Sequence, residues 1–291
     1  MINENNRIDY LNLSEYTGFG TGGKAKSVYA PGSLEELLSL SAMLKQSGEK
    51  VYILGNGSNV IARDEGFDGT IILTRSLKDI SVENTTTLKC SAGALLTDVC
   101  RYALRLSLKG LENLYGIPGS VGGAVFMNAG AYGREIKDLI TEVTVADENF
   151  KIIKFKNEQC KFGYRYSIFQ ENSELIILSA EFKLEIGDKD EILNKMKDVM
   201  SKRKASQPLE YKSCGSTFKR PTDNYASKLI EQCGLKGFSI GGAKVSEKHA
   251  GFIINFDNAS SEDIFRLITT IQNKVKEKTG YELVPEVRVM E

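Results

Sequence analysis

Apolar positions along this chain recur at two spacings, and the switches between them outline its elements. Ser33-x-x-Glu36 has the form of a capping box, and Leu34, Leu37, Leu38 and Leu44 follow at helical intervals until Gly48. Residues 95–106 repeat the pattern with Leu96, Val99 and Leu104. Residues 261–278 repeat it with Ile264, Leu267, Ile268, Ile271 and Val275, closed by Gly280. Further helices are expected over 188–204 and 223–232, the second stopping at Gly234. Short apolar runs predict strands at 26–30, 50–54, 60–63, 70–74, 77–82, 88–92, 142–146, 151–155, 174–184, 251–255 and 281–290. Strands and helices interleave without internal repeats, so the pattern predicts an α+β chain that starts with a β-α-β unit.

One stretch follows neither period. From Gly116 to Gly133 the chain carries six glycines and one proline among apolar residues, with hardly any charge. Glycine allows positive φ and close backbone approach, and consecutive N–H groups in such turns can cradle an anion. Two readings stand: a buried crossover under a sheet, or a loop along an extended, phosphate-bearing cofactor. The turn Gly55-Asn-Gly-Ser-Asn59 ends a predicted strand and is rich in donors, which adds weight to the second. Gly18–Gly23 spells a dinucleotide fingerprint and nearly a P-loop. It lacks the preceding buried strand and following helix, and Ala25 stands where a magnesium-binding hydroxyl belongs, so a turn into the first strand is expected instead.

Charge and composition narrow the field. The formal net charge is zero, against a general nucleic-acid binder, yet residues 202–248 hold ten basic and four acidic residues, leaving +6 there and −6 elsewhere. That window, with its own glycine turns, suits an anionic small molecule. No apolar run reaches membrane-spanning length and the N-terminus lacks an apolar signal core, so no membrane association is expected. Five cysteines without C-x-x-C spacing predict reduced thiols in a cytoplasm, and a single histidine, His249, argues against a metal site. Nothing in the sequence indicates an oligomeric state.

Three residues stand out as chemistry-bearing. Ser216 lies in a turn between Gly215 and the basic pair Lys219-Arg220, where a hydroxyl can cap backbone or donate a proton. Arg165, between two tyrosines, can hold a carboxylate with its fork or pack on aromatics for stability. Glu286 follows a proline in an apolar strand and needs a partner or a raised pKa; Arg288, two residues on, shares its strand face and offers the partner.

Taken in order, Gly55–Asn59, Gly116–Ala124 with Met127–Gly133, Tyr164–Ser167, Gly215–Lys219 and Pro285–Arg288 resemble the UDP-N-acetylmuramate dehydrogenases, also called UDP-N-acetylenolpyruvoylglucosamine reductases. The set spans nearly the whole chain. The resemblance implies a two-subdomain FAD-binding fold of the vanillyl-alcohol-oxidase type (1–78 and 79–205) with a small α+β substrate-binding domain (206–291). It implies non-covalent FAD held by Gly55, Asn56, Gly57, Ser58, Asn59, Gly116, Pro118, Gly119, Ser120, Gly122, Gly123, Asn128, Ala129, Gly130 and Tyr132. NADPH would reduce the flavin and then give way to an enolpyruvyl sugar nucleotide met by Tyr164, Lys219, Arg220 and Arg288. Hydride would reach the outer vinyl carbon, Arg165 and a protonated Glu286 would stabilise the enolate-like charge, and Ser216 would supply the final proton.

Two departures accompany the resemblance. Arg220 replaces an asparagine frequent in relatives. Only 51 residues separate Arg165 from Ser216, too few for the tyrosine-bearing closing loop of the longer subclass, so the chain resembles the shorter one. A sugar or alcohol oxidase on the same flavin fold, and a non-catalytic flavin- or nucleotide-binding protein, are the alternatives.

Overall fold

The structure, a computed structural model, describes residues 7–8 and 11–291. Its backbone divides into two compact units. Of the described residues, the first comprises 7–8, 27–56 and 69–202, and the second comprises 11–26, 57–68 and 203–291. Residues expected in three consecutive domains therefore fall into two units, the second of which is assembled from three separate segments.

The first unit is built on two larger sheets. One has four strands in the order Arg7–Ile8, Ala25–Tyr29, Phe67–Leu73, Val51–Leu54, the last two pairing in parallel with Val51 beside Thr70. Helix α1 (Leu34–Gln46) begins as its capping residues dictate. Ser33 Oγ accepts the Glu36 N–H at 3.1 Å, and the Glu36 carboxylate accepts the Gly32 N–H at 2.8 Å. Its buried face is Leu37, Leu40 and Leu44, packed with Ile72, Leu77, Ala146, Ile176 and Leu178, while Leu34 is exposed.

The other sheet is antiparallel, ordered Ile152–Lys156, Ile140–Ala146, Ile176–Lys183, Thr87–Ser91, Ile80–Asn84. Helix α2 (Leu96–Arg105) buries Leu96, Val99, Cys100 and Ala103 in the core that contains Leu88, Val143, Val145, Ala180 and Phe182. The strand expected at 77–82 starts instead at Ile80. Thr74–Ser76 forms a 3-10 turn and Leu77 fills the core under α1 rather than joining a ladder.

On this sheet Glu142 is buried and paired with Lys154 Nζ (2.5 Å) and Lys156 Nζ (2.8 Å). Hydrogen bonds from the two ammonium groups hold its carboxyl below the usual carboxylate range. A lowered folded pKa gives stability that is present above the unfolded pKa and lost as pH falls through the folded one. Urea midpoints should therefore drop for the wild type between about pH 5 and pH 3. Glu142→Gln should lack that component of the drop; an unchanged pH profile in the variant would show that the pair contributes nothing.

The second unit is built on a three-stranded antiparallel sheet, Ser239–Ile240, Ala243–Val245 and Ile253–Asn255. It packs with helices α5 (Ala226–Gln232) and α6 (Ser261–Thr279). In the numbering used here, α3 is Val121–Phe126 and α4 is Lys189–Ser206. Ser260 and Asp263 close a reciprocal capping box on α6, and Gly280 ends it at φ 76°. Phe19 and Ile61, from the two early segments, are fully buried among Leu229, Ile264, Leu267 and Ile271. Asp64 Oδ2 accepts both the N–H (2.6 Å) and the Oγ–H (3.0 Å) of Ser261 at the start of α6.

Two elements here differ from expectation. Helix α5 starts at Ala226, not 223, because Tyr225 is still extended. The final strand shrinks to Arg288–Val289, since the backbone before it pairs with Thr217 and Lys219 and then turns to Asn59 and Ile61. Among the described residues no helix is long and apolar enough to cross a membrane, and no group of three or more His, Cys, Asp or Glu is placed to hold a metal.

Candidate functional site

The glycine-rich stretch folds into three pieces rather than one loop. Ser120 caps α3, its Oγ accepting the Gly123 N–H at 3.3 Å. The Val121 and Gly122 N–H groups donate to the Ala94 and Ala92 carbonyls, both at 2.8 Å. Bonds to neighbouring chain thus hold a helix that its glycines would not favour alone. After α3, Gly130–Ala131 pairs with Arg134–Glu135 across Tyr132 and Gly133, whose φ values of 50° and 80° are those of a primed two-residue turn.

Two predicted motifs meet here. A Cβ on Gly55 would lie 2.3 Å from Ser120 Oγ, and Asn56 Nδ2 donates to the Pro118 carbonyl. Gly123 is different. It is exposed, and a Cβ there would meet nothing nearer than Ser120 Oγ at 3.5 Å. A helical glycine costs about 1 kcal/mol against alanine, and no neighbouring protein atom requires this one, so its bare backbone fits a ligand lying along the helix. Asn128 bonds to protein on every side-chain atom that can. It is fully buried at φ 42°; its amide donates to the Gly163 carbonyl (2.8 Å) and Glu135 (3.2 Å), and its Oδ1 accepts the Lys137 N–H (3.0 Å). Its side chain braces the stretch from inside.

Residues 163–170 close over the end of α3. Ser167 Oγ and Gln170 Nε2 both donate to the Phe126 carbonyl, at 2.7 and 2.8 Å, and Gln170 also donates to the Arg165 carbonyl at 3.0 Å. Arg165 sits at φ 53°, strained for a residue with a Cβ. Its guanidinium donates to the Gly130 carbonyl (3.0 Å), lies 3.8 Å from Glu135 and stacks 5.1 Å from the exposed Tyr164 ring. Arg165 thus packs on an aromatic ring, as one of its two readings has it, and also donates into the glycine stretch. Sequence reasoning passed over Ser167, Gln170 and Glu135, whose polar side chains beside a tyrosine-arginine pair were the available signal.

In the second unit the remaining motifs adjoin one another through backbone. Gly57 makes a close approach, its N-terminal neighbour segment giving Gly18 N–H to the Gly57 carbonyl at 2.9 Å. Asn59 Nδ2 donates to the Glu286 carbonyl at 3.1 Å, and the Arg288 N–H donates to the Asn59 carbonyl at 2.9 Å. Thr217 is the hub. Its N–H donates to Gly251 O (2.8 Å), its Oγ1 accepts the Ile253 N–H (3.2 Å) and its carbonyl accepts the Glu286 N–H (2.8 Å). Ser216, exposed, stands opposite Phe252, and Phe218 opposite Pro285. Ser216 is thereby one residue from the partner of Glu286.

Nearby, the Lys219 N–H donates to the Val284 carbonyl at 2.8 Å, and the Arg220 guanidinium lies 4.0 Å over the Tyr225 ring. Burial pushes the Cys214 thiol up to about 12, so the sulfur two residues before Ser216 stays protonated. Cys90 and Cys160 are raised to about 12 by the same cause.

Comparison with known proteins bears on both units. Residues 25–156 match the FAD binding domain family, and residues 207–290 match the family described as UDP-N-acetylenolpyruvoylglucosamine reductase, C-terminal domain. The chain is 49% identical to the UDP-N-acetylenolpyruvoylglucosamine reductase of Caldanaerobacter subterraneus subsp. tengcongensis, covering 97% of this chain and 93% of that protein. It is 45% identical to the enzyme of the same name from Clostridium botulinum strain Eklund 17B, over 96% and 91%. Among solved structures it is similar to UDP-N-acetylenolpyruvylglucosamine reductase from Thermus caldophilus, with TM-score 0.83, 34% identity and 98% of each chain covered.

Proposed function

From the premise that this chain belongs to the UDP-N-acetylenolpyruvoylglucosamine reductase family, we propose how its own residues carry the family's reaction. The protein is an FAD-dependent oxidoreductase that reduces the enolpyruvyl sugar nucleotide during peptidoglycan synthesis. We assign NADPH as the donor, and a cytoplasmic location is supported by five free cysteines.

The open backbone at Gly123 fits FAD, and the 55–56 turn and the Tyr132 hairpin of the same unit would hold it with Gly123. The chemistry that bound FAD supplies is delivery of a hydride, received from NADPH, to the outer vinyl carbon of the substrate. Charge then develops at the carbon bearing the substrate carboxylate. Arg165, fixed in orientation by Gly130, Glu135 and Tyr164, stabilises that charge as a planar cation, and Glu286 does so as a hydrogen-bond donor. Ser216 Oγ gives its proton to the carbanion, a base strong enough to take one from an unactivated hydroxyl. Tyr164, Lys219, Arg220 and Arg288 bind the nucleotide. The observation that carries the reading is the attachment of Ser216 and Glu286 to either side of Thr217.

The direct test follows NADPH consumption with and without the enolpyruvyl sugar nucleotide. Strict dependence on that substrate is expected; oxygen-linked turnover of a simple sugar or alcohol in its place would overturn the reading. Arg165→Lys keeps the charge and loses the fork. It should slow substrate-driven flavin reoxidation by about 10²-fold, and an unaltered rate would remove Arg165 from the mechanism.

A further inference from the structure

The strand that faces Ser216 begins in a turn organised by the one histidine of the sequence. Lys248 and His249 N–H groups donate to Ser246 Oγ at 3.1 and 3.3 Å, and the Phe252 N–H donates to the His249 carbonyl at 2.9 Å. The Gly251 N–H donates to His249 Nδ1 at 3.1 Å. An accepting Nδ1 carries no proton, which makes the ring the neutral Nε2–H tautomer. The ring also sits edge-on to Phe252, with centroids 4.9 Å apart and planes at 69°.

This imidazole is one peptide away from the proposed proton donor. Gly251 receives the ring's hold on its N–H and passes its carbonyl to the Thr217 N–H at 2.8 Å, while Phe252 pairs with Ser216. We propose that neutral His249 is a positioning residue for Ser216, and that protonation of His249 loosens the 216–217 backbone and slows the substrate half-reaction. On protonation, an Nδ1–H would point at the Gly251 N–H, so donor would face donor and one of them must move. The inference rests on the reading of Ser216 as proton donor.

The surroundings of the ring favour its neutral form near neutrality. Burial lowers its affinity for a proton. Of the charged groups facing it, Lys236 adds to that effect and Glu231 of α5 opposes it. Ser227, also on α5, brings its Cβ within 3.3 Å of where a Cβ on Gly251 would stand.

Three forms of the FAD-loaded protein test this: wild type, His249→Phe and His249→Asn. Asparagine can accept the N–H two residues on, as in an Asx-turn, without titrating in this range. Two readouts are followed from pH 5 to 8: deuterium exchange at the Gly251 and Thr217 amides, and flavin reoxidation by the substrate. In the wild type, protection at Thr217 and the reoxidation rate should fall together on acidification. His249→Asn should keep both at neutral pH and lose the acid-side decline.

His249→Phe should exchange faster at Thr217 and reoxidise about tenfold more slowly throughout, with flavin reduction by NADPH unchanged. The same acid decline in His249→Asn, or native protection at Thr217 in His249→Phe, overturns the proposal. Ser216→Ala with unimpaired reoxidation would instead remove the proton-donor reading and the rate arm with it. The exchange arm would then still decide for or against His249.

Discussion

Ser216→Ala should leave reduction of the flavin by NADPH at its wild-type rate and slow reoxidation by the enolpyruvyl sugar nucleotide about 10²- to 10⁴-fold, the range of a positioned general acid. The side chain is exposed and its backbone is held by the extended pairing with Phe252, so removing one oxygen should not disturb the fold. Stopped-flow absorbance of the flavin separates the two half-reactions. Equal slowing of both would make Ser216 a structural residue. An effect confined to reoxidation, partly restored by cysteine at the same position, would tie the loss to the missing proton rather than to shape.

The second large effect concerns stability. Gly57 is buried at φ 66°, and a Cβ on it would stand 1.7 Å from the Tyr16 carbonyl oxygen. Gly57→Ala must therefore accept a left-handed conformation and push one backbone segment off another, which together cost about 2–5 kcal/mol. Gly48 supplies the control. It has nearly the same φ, 68°, with nothing within 4 Å of its would-be Cβ, so Gly48→Ala should lose only about 1–2 kcal/mol. Urea unfolding of both variants measures the difference, and equal losses would show that the approach to Tyr16 is relieved at no cost. The Gly57 variant should also retain less FAD after gel filtration.

Parts of the fold were legible because local and tertiary signals agree. Helices α1 and α6 have side-chain caps, regular apolar stripes and glycine stops, and both lie within a residue or two of expectation. The tail at 281–290 misled because Leu283, Val287 and Met290 are buried as in a strand. The backbone from Val284 to Met290 changes partner, from Lys219 and Thr217 to Asn59 and Ile61, so no long ladder forms. Helix α3 was hidden since glycine composition argues against a helix that tertiary bonds enforce.

Within the candidate site, the side-chain types were readable but their supports were not. Thr217 joins Ser216 to Glu286 mainly through backbone groups, and backbone groups have no letter in a sequence. Gly18, rejected as part of a nucleotide motif, is there because a Cβ would come within 2.8 Å of the Ser213 carbonyl and 3.0 Å of the Cys214 sulfur. Its meaning depends on a segment nearly two hundred positions away.

That discontinuity has a consequence for biosynthesis. Phe19 and Ile61 leave the ribosome early, whereas Ile264, Leu267 and Ile271, which bury them, are among the last residues made. At 5–20 residues per second, the two side chains wait roughly 10–50 s for their partners. A nascent chain halted anywhere before α6 thus presents these apolar groups to chaperones and proteases, whatever the first unit has already achieved.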